Sequence, residues 1–314
     1  MKWKVMVSAP YMQPVIDRFR NVFDKHDIDL LIPPVNERME EDELLEWIEE
    51  VDGAICGDDH FTEKVLRSAL KLKVISKWGT GIDSIDLEAC RKYGIAVRNT
   101  PNAFSEPVAD SVIGYMLCFA RNLPWMDRNM REGIWHKIPG RSLRECTLGI
   151  IGVGNVGKTV ARRSIGFGMH IIGNDLVEMP TDFLTETNIE MLSKEKLLQK
   201  ADFVSLNCDL NPTSYHLMDD HSFSLMKPTA VIINTARGPI IDEQALMKAL
   251  REKRIAGAAL DVFEVEPLPT DSPLRKMENV MTAPHNANSS PEAWERVHQN
   301  TIANLINGLQ RARE

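Results

Sequence analysis

Residues 147–157 read TLGIIGVGNVG, and a second apolar run, HIIGND, ends at Asp175, 18 positions beyond Gly157. This stretch leaves the chain few conformational options. Residues 148–151 suit a buried strand. Gly152 permits the tight turn that leaves the strand, Gly154 lets backbone approach a pyrophosphate, and Gly157 lets the next helix lie close to the sheet. That helix is predicted over 156–167, and the N–H groups and dipole at its start form an anion site. Asp175 falls where a carboxylate accepts hydrogen bonds from an adenosine ribose diol. Strand, turn, helix and acid in this order specify a dinucleotide-binding unit.

The same alternation runs along the whole chain. Short apolar runs occur at 4–7, 29–32, 53–56, 74–76 and 95–97, with helices predicted over 12–23, 40–50, 62–69 and 85–93. In the first helix Val15, Phe19, Val22 and Phe23 fall at helical spacing. Such a rhythm implies a parallel sheet covered by helices. Thr100-Pro101-Asn102 breaks the pattern and suggests a hinge. Helices over 105–120 and 126–133 follow, and the glycine fingerprint then opens a second series with strands at 171–173, 203–207, 231–234, 257–260 and 280–282. The last segment, 291–313, reads as a helix with Ile302, Leu305 and Leu309 on one stripe.

Charge and cysteine usage exclude several classes of function. The net charge of −8 argues against nucleic acid or an anionic membrane as a partner, since either needs a basic face. The start, MKWKVMVSAP, lacks an adequate apolar region or cleavage site, so no signal peptide is expected. The longest membrane-like run, 111–120, is about half a bilayer span and reads better as a buried helix. Cys56, Cys90, Cys118, Cys146 and Cys208 are odd in number and scattered, which fits neither a disulfide framework nor a zinc site. They fit a reducing cytoplasm, and no metal is expected.

Three motifs follow strand-like runs of the second series: INTARGPIID with Arg237, GAALDVFEVEP with Asp261 and Glu266, and TAPH with His285. Singly, each has an ordinary reading as a surface charge, a loop acid or a loop imidazole. Together they supply what reduction of a 2-oxoacid needs. A guanidinium holds a carboxylate in bidentate fashion and polarises the neighbouring carbonyl. An imidazolium donates a proton as hydride arrives, and a carboxylate keeps that imidazole protonated and oriented.

The chain resembles the D-specific 2-hydroxyacid dehydrogenases, and most of all their phosphoglycerate dehydrogenase branch. The resemblance runs from about Val74 to His285 through KVISKWGTGIDSIDLEACRKYGIAVRNTPN, LGIIGVGNVGKTVARRSIGFGMHIIGND, VIINTARGPIIDEQALMKAL and GAALDVFEVEP. It implies Arg237 as anchor of the substrate carboxylate and carbonyl, His285 as acid/base, and Glu266 as its partner. It implies cofactor contacts from Asn155 and Val156 at the pyrophosphate and from Asp175 at the ribose. Cys208, Thr235, Ala236 and Asp261 would lie along the remaining path, with Asp261 near the nicotinamide carboxamide. The Thr80–Gly81 loop would present amides to the substrate carboxylate, with Thr80 near the cofactor.

The implied architecture is α/β with two doubly wound parallel sheets. A flavodoxin-like substrate domain (1–100 plus 288–314) receives an inserted Rossmann NAD-binding domain (101–287). The implied assembly is a homodimer using the helical arm over 104–140, with Trp125 and Trp135 either in that contact or packed within the chain. The sequence departs from the family where Gly57-Asp58 replaces an Arg-Ser pair common among members handling phosphorylated acids. It departs again at Asn286-Ala287-Asn288 after His285, and at Val112 in place of a threonine. An unphosphorylated acid such as glyoxylate or hydroxypyruvate is therefore expected over 3-phosphoglycerate, with NAD preferred to NADP. Two further classes stay open: a dinucleotide-sensing corepressor, and a formate or phosphite dehydrogenase, for which Lys77 beside the Thr80–Gly81 loop would suit a small anion, its ordinary reading being a solvated charge.

Overall fold

The computed structural model describes residues 2–313 and forms two compact units, Met1–Phe104 with Ser290–Glu314, and Ser105–Ser289. The first unit holds five parallel strands, β1 (Trp3–Val7), β2 (Ile28–Leu31), β3 (Gly53–Cys56), β4 (Val74–Lys77) and β5 (Ala96–Arg98), in the order β2-β1-β3-β4-β5. This is the flavodoxin-like order. β3 and β4 are buried along their whole length, as a central parallel strand covered on both faces must be. The closing helix, Pro291–Arg311, buries Ile302, Leu305 and Leu309 as its spacing predicted.

The second unit holds seven parallel strands: β6 (Thr147–Ile151), β7 (His170–Asn174), β8 (Glu190–Met191), β9 (Phe203–Leu206), β10 (Val231–Asn234), β11 (Gly257–Leu260) and β12 (Val280–Thr282). Their order, β12-β11-β10-β9-β6-β7-β8, reverses direction between β6 and β9. Ligands of doubly wound sheets bind beyond the strand carboxyl ends at such a switch point. The register makes that rim continuous. Asn174, Ile151, Leu206, Asn234, Leu260 and Thr282 are successive partners across the sheet. Every chain segment that follows them leaves the sheet along one edge.

Helix expectations change at 12–23 and 126–133 and hold at 111–120. The segment expected as one helix over 12–23 is a 3-10 helix, Gln13–Phe19, followed by a short α-helix, Arg20–Lys25. Three residues per turn instead of 3.6 rotates the buried face, so Ile16 and Phe23 are buried while Val22 is exposed. The second arm helix is Leu123–Arg131, entered through Asn122 in the left-handed conformation and Pro124 in its first turn. The run over 111–120 lies in the helix Ser105–Arg121, which buries Val112, Ile113, Met116 and Ala120. Among the described residues no helix is long and apolar enough to cross a membrane, and the five cysteines are free thiols.

Candidate active site

The glycine loop begins one residue beyond β6. Gly152 adopts φ +86°, and a Cβ there would stand 2.5 Å from the Cys208 nitrogen, so the turn lies directly against the segment leaving β9. A Cβ on Gly157 would stand 2.1 Å from the Gly152 oxygen, which brings the start of the Asn155–Ile165 helix onto the turn itself. Around Gly154 no atom lies within 4 Å of a Cβ position. The loop is therefore tight on its protein side and open at Gly154, where amides at a helix start face outward. Asp175 follows β7. One carboxylate oxygen accepts the Val153 N–H at 2.6 Å and the other the Val177 N–H at 2.8 Å. Asp175 thus ties the glycine loop to the end of β7, and each oxygen keeps further acceptor capacity.

Beyond β9, burial pushes the Cys208 thiol up to about 11, so it is a neutral, packed group. Beyond β10, the fully buried Asn234 closes the turn that presents Arg237. Its side chain accepts from the Ala236 N–H at 3.1 Å and donates to the Arg237 carbonyl at 2.9 Å. Arg237 is half-buried, and its guanidinium donates to the Ala236 carbonyl at 2.9 Å. The Thr235 hydroxyl is buried without a hydrogen-bond partner among the described residues. A buried hydroxyl left this way costs roughly 1–3 kcal/mol, and a polar ligand at the rim would satisfy it.

Asp261 begins the segment after β11 and is buried. Burial pushes its carboxyl above the ordinary range, opposed by N–H groups of Ala287 and Asn286, which donate to it at 2.8 Å each. Its carbonyl accepts the His285 N–H at 2.7 Å. Asp261 therefore fixes the loop that carries His285, a residue held at φ +51°. From the helix Ser105–Arg121, Tyr115 comes close enough to feel that charge. Burial first and Asp261 second push its hydroxyl up to about 12. The His285 Nδ1 lies 2.9 Å from one Glu266 oxygen, while the other Glu266 oxygen accepts the Phe263 N–H at 2.9 Å. Both side chains are about one-fifth exposed. The carboxylate is immobilised by backbone on one side and aligns the imidazole on the other.

One sheet rim thus brings together Gly152, Gly154, Asn155, Val156, Gly157, Asp175, Cys208, Thr235, Ala236, Arg237, Asp261, Glu266 and His285. Lys77, Thr80 and Gly81 belong to the first unit, at the end of β4. There the Lys77 ammonium is almost fully buried and sits 3.1 Å from Asp58, so it is not a solvated charge. Asp59 is buried beside it, accepting from Ser8, Met39 and Gly57. Thr80 donates its hydroxyl to the Thr100 carbonyl at 3.0 Å. The motif readings do not single out Asn234 or Glu264, which lie inside INTARGP and GAALDVFEVEP, or His216, which lies in no motif. The open Gly154 cradle and the unsatisfied Thr235 hydroxyl both fit a bound dinucleotide.

Comparison with known proteins agrees with this geometry. A family model described as "D-isomer specific 2-hydroxyacid dehydrogenase, NAD binding domain" matches residues 113–287. The chain is 40% identical to the glyoxylate reductase of Korarchaeum cryptofilum, covering 84% of this chain and 81% of that protein. It is 38% identical to the hydroxypyruvate reductase of Thermotoga maritima over 98% of this chain and 99% of that one. Identity to the D-3-phosphoglycerate dehydrogenase of Methanocaldococcus jannaschii is 41%, over 80% of this chain but 48% of that protein. Among solved structures, D-lactate dehydrogenase from Aquifex aeolicus, complexed with NAD and lactic acid, superposes with a TM-score of 0.86. It is 27% identical, and the match covers 96% of this chain and 93% of that one. An acyclic imino acid reductase in complex with NADPH and D-Arg gives a TM-score of 0.85 at 29% identity, over 98% and 97%.

Proposed function

This chain belongs to the D-isomer specific 2-hydroxyacid dehydrogenase family, and we propose that within it the chain reduces small unphosphorylated 2-oxoacids, with NADH as the hydride donor. The observation that carries this reading is the His285–Glu266 pair, held at 2.9 Å on the same sheet rim as the glycine loop. When bound, the nicotinamide supplies the hydride that adds to C2 of the oxoacid. Arg237 pairs with the substrate carboxylate and polarises the adjacent carbonyl. His285 gives a proton to the carbonyl oxygen from Nε2, while Glu266 holds Nδ1 and stabilises the imidazolium. In the reverse direction the same nitrogen takes the proton back. Thr80 and Gly81 of the first unit complete the proposal as amide donors to the carboxylate, with Lys77 nearby in sequence.

For the cofactor, Asn155, Val156 and Gly157 face the pyrophosphate beside the open Gly154. Cys208, Thr235, Ala236 and Asp261 line the remaining path. Asp175 accepts from the ribose diol and would repel a 2′-phosphate. The exposed Leu176-Val177-Glu178 that follows supplies no compensating cation, which supports NAD over NADP.

For the substrate, the end of β4 supports one of two readings over the other. The relative from Methanocaldococcus jannaschii favours 3-phosphoglycerate. Against it, Lys77 is already engaged by Asp58, and a phosphate needs a cation or amide nest to replace its hydration. Glyoxylate and hydroxypyruvate are the favoured substrates, as the names of two relatives suggest. We place the enzyme in the cytoplasm, supported by its free thiols. We also propose a homodimer. The helix Leu123–Arg131 buries none of its residues, and Leu123, Met130, Ile134 and Trp135 are exposed, Trp135 to 85%. Large apolar side chains exposed along one chain segment support a protein contact there. Trp125, by contrast, packs on Phe119 and donates to the Glu278 carbonyl at 2.9 Å. The test is a panel of 2-oxoacids, including hydroxypyruvate and its phosphate, assayed by NADH absorbance. A preference of about tenfold or more in kcat/KM for the phosphorylated acid, equivalent to about 1.4 kcal/mol, would overturn the substrate assignment.

A further inference from the structure

Two histidine–glutamate pairs share one short segment. Glu266 holds His285, and two residues earlier Glu264 holds His216, whose Nε2 lies 2.8 Å from the Glu264 oxygen. The second pair lies outside the proposed chemistry, yet it is wired into both turns that carry it. The His216 N–H donates to the Pro239 carbonyl at 2.8 Å, in the turn that begins at Arg237. Its ring reaches the turn that ends at Glu266. The two turns also touch directly, since a Cβ on Gly238 would stand 1.9 Å from the carbonyl of Phe263. Glu264 is tied further to the start of the helix Glu243–Arg251. Its N–H donates to Glu243 at 2.7 Å, and the Glu243 N–H returns to it at 3.3 Å. Tyr215 stacks on the His216 ring, with centroids 4.1 Å apart, and His216 sits at φ +49°. A side chain held by a stacked ring, a backbone bond and a carboxylate has little rotamer freedom left.

We propose that His216 is a positioning residue that fixes the Arg237 turn against the Glu266 turn through Glu264, and so sets the separation between the carboxylate anchor and the proton donor. Backbone contact at Gly238 keeps the turns in touch but allows sliding. The His216 bridge pins them at a second point, and two points define an orientation. Displacement of a catalytic group by about 1 Å costs on the order of 100-fold in rate. The chemical step, rather than cofactor binding at the far end of the rim, should therefore register the loss.

This inference rests on Arg237, Glu266 and His285 being the reacting groups, so the experiment includes His285→Ala beside His216→Ala, His216→Gln, Glu264→Ala and the double variant His216→Ala/Glu264→Ala. Each is assayed for kcat and KM with glyoxylate and hydroxypyruvate, NADH affinity by fluorescence, and thermal midpoint. His216→Ala and Glu264→Ala should each lower kcat about tenfold or more, with NADH affinity within about twofold. The double variant should be no worse than either single one, because both remove the same contact. His216→Gln, which retains a donor for Glu264, should recover most of the rate. The proposal is overturned if His216→Ala and Glu264→Ala keep the parent kcat, if Gln fails as badly as Ala, or if NADH affinity falls in parallel with kcat. If His285→Ala also keeps the parent rate, it is the reading of the reacting groups that has failed. If His285→Ala is inactive while His216→Ala is not, only the bridge is wrong.

Discussion

Replacing Gly157 by Ala tests the glycine loop with a magnitude that comes from its geometry. The new Cβ would lie 2.1 Å from the Gly152 oxygen, about 1.3 Å short of the 3.4 Å at which ordinary contact begins. The obstructing atom is backbone, so no side chain can swing away. The start of the Asn155–Ile165 helix must retreat from β6, or the turn at Gly152 must open. Overpacking of this kind costs about 1–3 kcal/mol. The clash exists without ligand, so the melting temperature falls. It also displaces the amides that face the pyrophosphate, and at about 1.4 kcal/mol per decade NADH should bind roughly 5- to 100-fold more weakly. Gly154→Ala is the contrasting variant, since its Cβ meets no protein atom within 4 Å. It should leave the melting temperature unchanged and still weaken NADH, because the methyl occupies the face the pyrophosphate approaches. Fluorescence titration and thermal melts of both variants decide the matter. Parent-like affinity and melting in Gly157→Ala would refute the reasoning.

Asp175→Ala should narrow the preference for NADH over NADPH and lower thermal stability as well, because it leaves the Val153 and Val177 amides without their carboxylate. Catalytic efficiencies with the two cofactors measure the first effect, and an unchanged ratio would contradict it. Asp58→Asn should leave the Lys77 ammonium buried with a weaker partner, costing stability and raising kcat/KM for hydroxypyruvate phosphate relative to hydroxypyruvate; a fall in that ratio speaks against the charge argument. Burial holds the His298 imidazole below its ordinary value near 6.5, and its Nδ1 accepts the Trp78 indole N–H at 2.9 Å. The unfolded chain therefore takes up this proton first. The contribution is complete above about pH 6.5 and is lost as pH falls through the lower folded value. Urea midpoints between about pH 7.5 and 5.5 should drop more steeply for the parent than for His298→Gln.

The second sheet was legible because its strands are continuous apolar runs: 231–234, 257–260 and 280–282 stand where β10, β11 and β12 do. β10 and β11, buried along their whole length, announce themselves by composition alone, and the part-buried β12 still opens on two apolar residues. The helices between them were harder to see. Lys194–Lys200 buries only Leu197 and Leu198, and Asp220–Leu225 only Ser222 and Phe223, too few for a 3.6-residue period to register. The 3-10 start at Gln13 was invisible for a different reason, since apolar spacing there suits either helix and tertiary packing selects the tighter one. At the site, residues that bear chemistry could be named from motifs because guanidinium, imidazole and carboxylate have few substitutes. Residues that position them could not. Asn234 acts through a turn, and His216 acts across 48 residues to Glu264, a pairing that only the folded register of β9, β10 and β11 creates. The burial of Lys77 was equally out of reach, because the sequence does not say that Asp58 meets it.

The central claim is that His285 carries the proton that accompanies hydride transfer to a 2-oxoacid. Steady-state NADH oxidation with glyoxylate and hydroxypyruvate, measured across pH for the parent, His285→Ala and Glu266→Gln, tests it most directly. The parent should turn over both acids. His285→Ala should lose about 10²–10⁴ in kcat while binding NADH as the parent does, and Glu266→Gln should move the alkaline fall in reduction rate to lower pH, because a neutral partner favours imidazolium less. A His285→Ala enzyme with parent-like kcat would place the proton donor elsewhere and contradict the account.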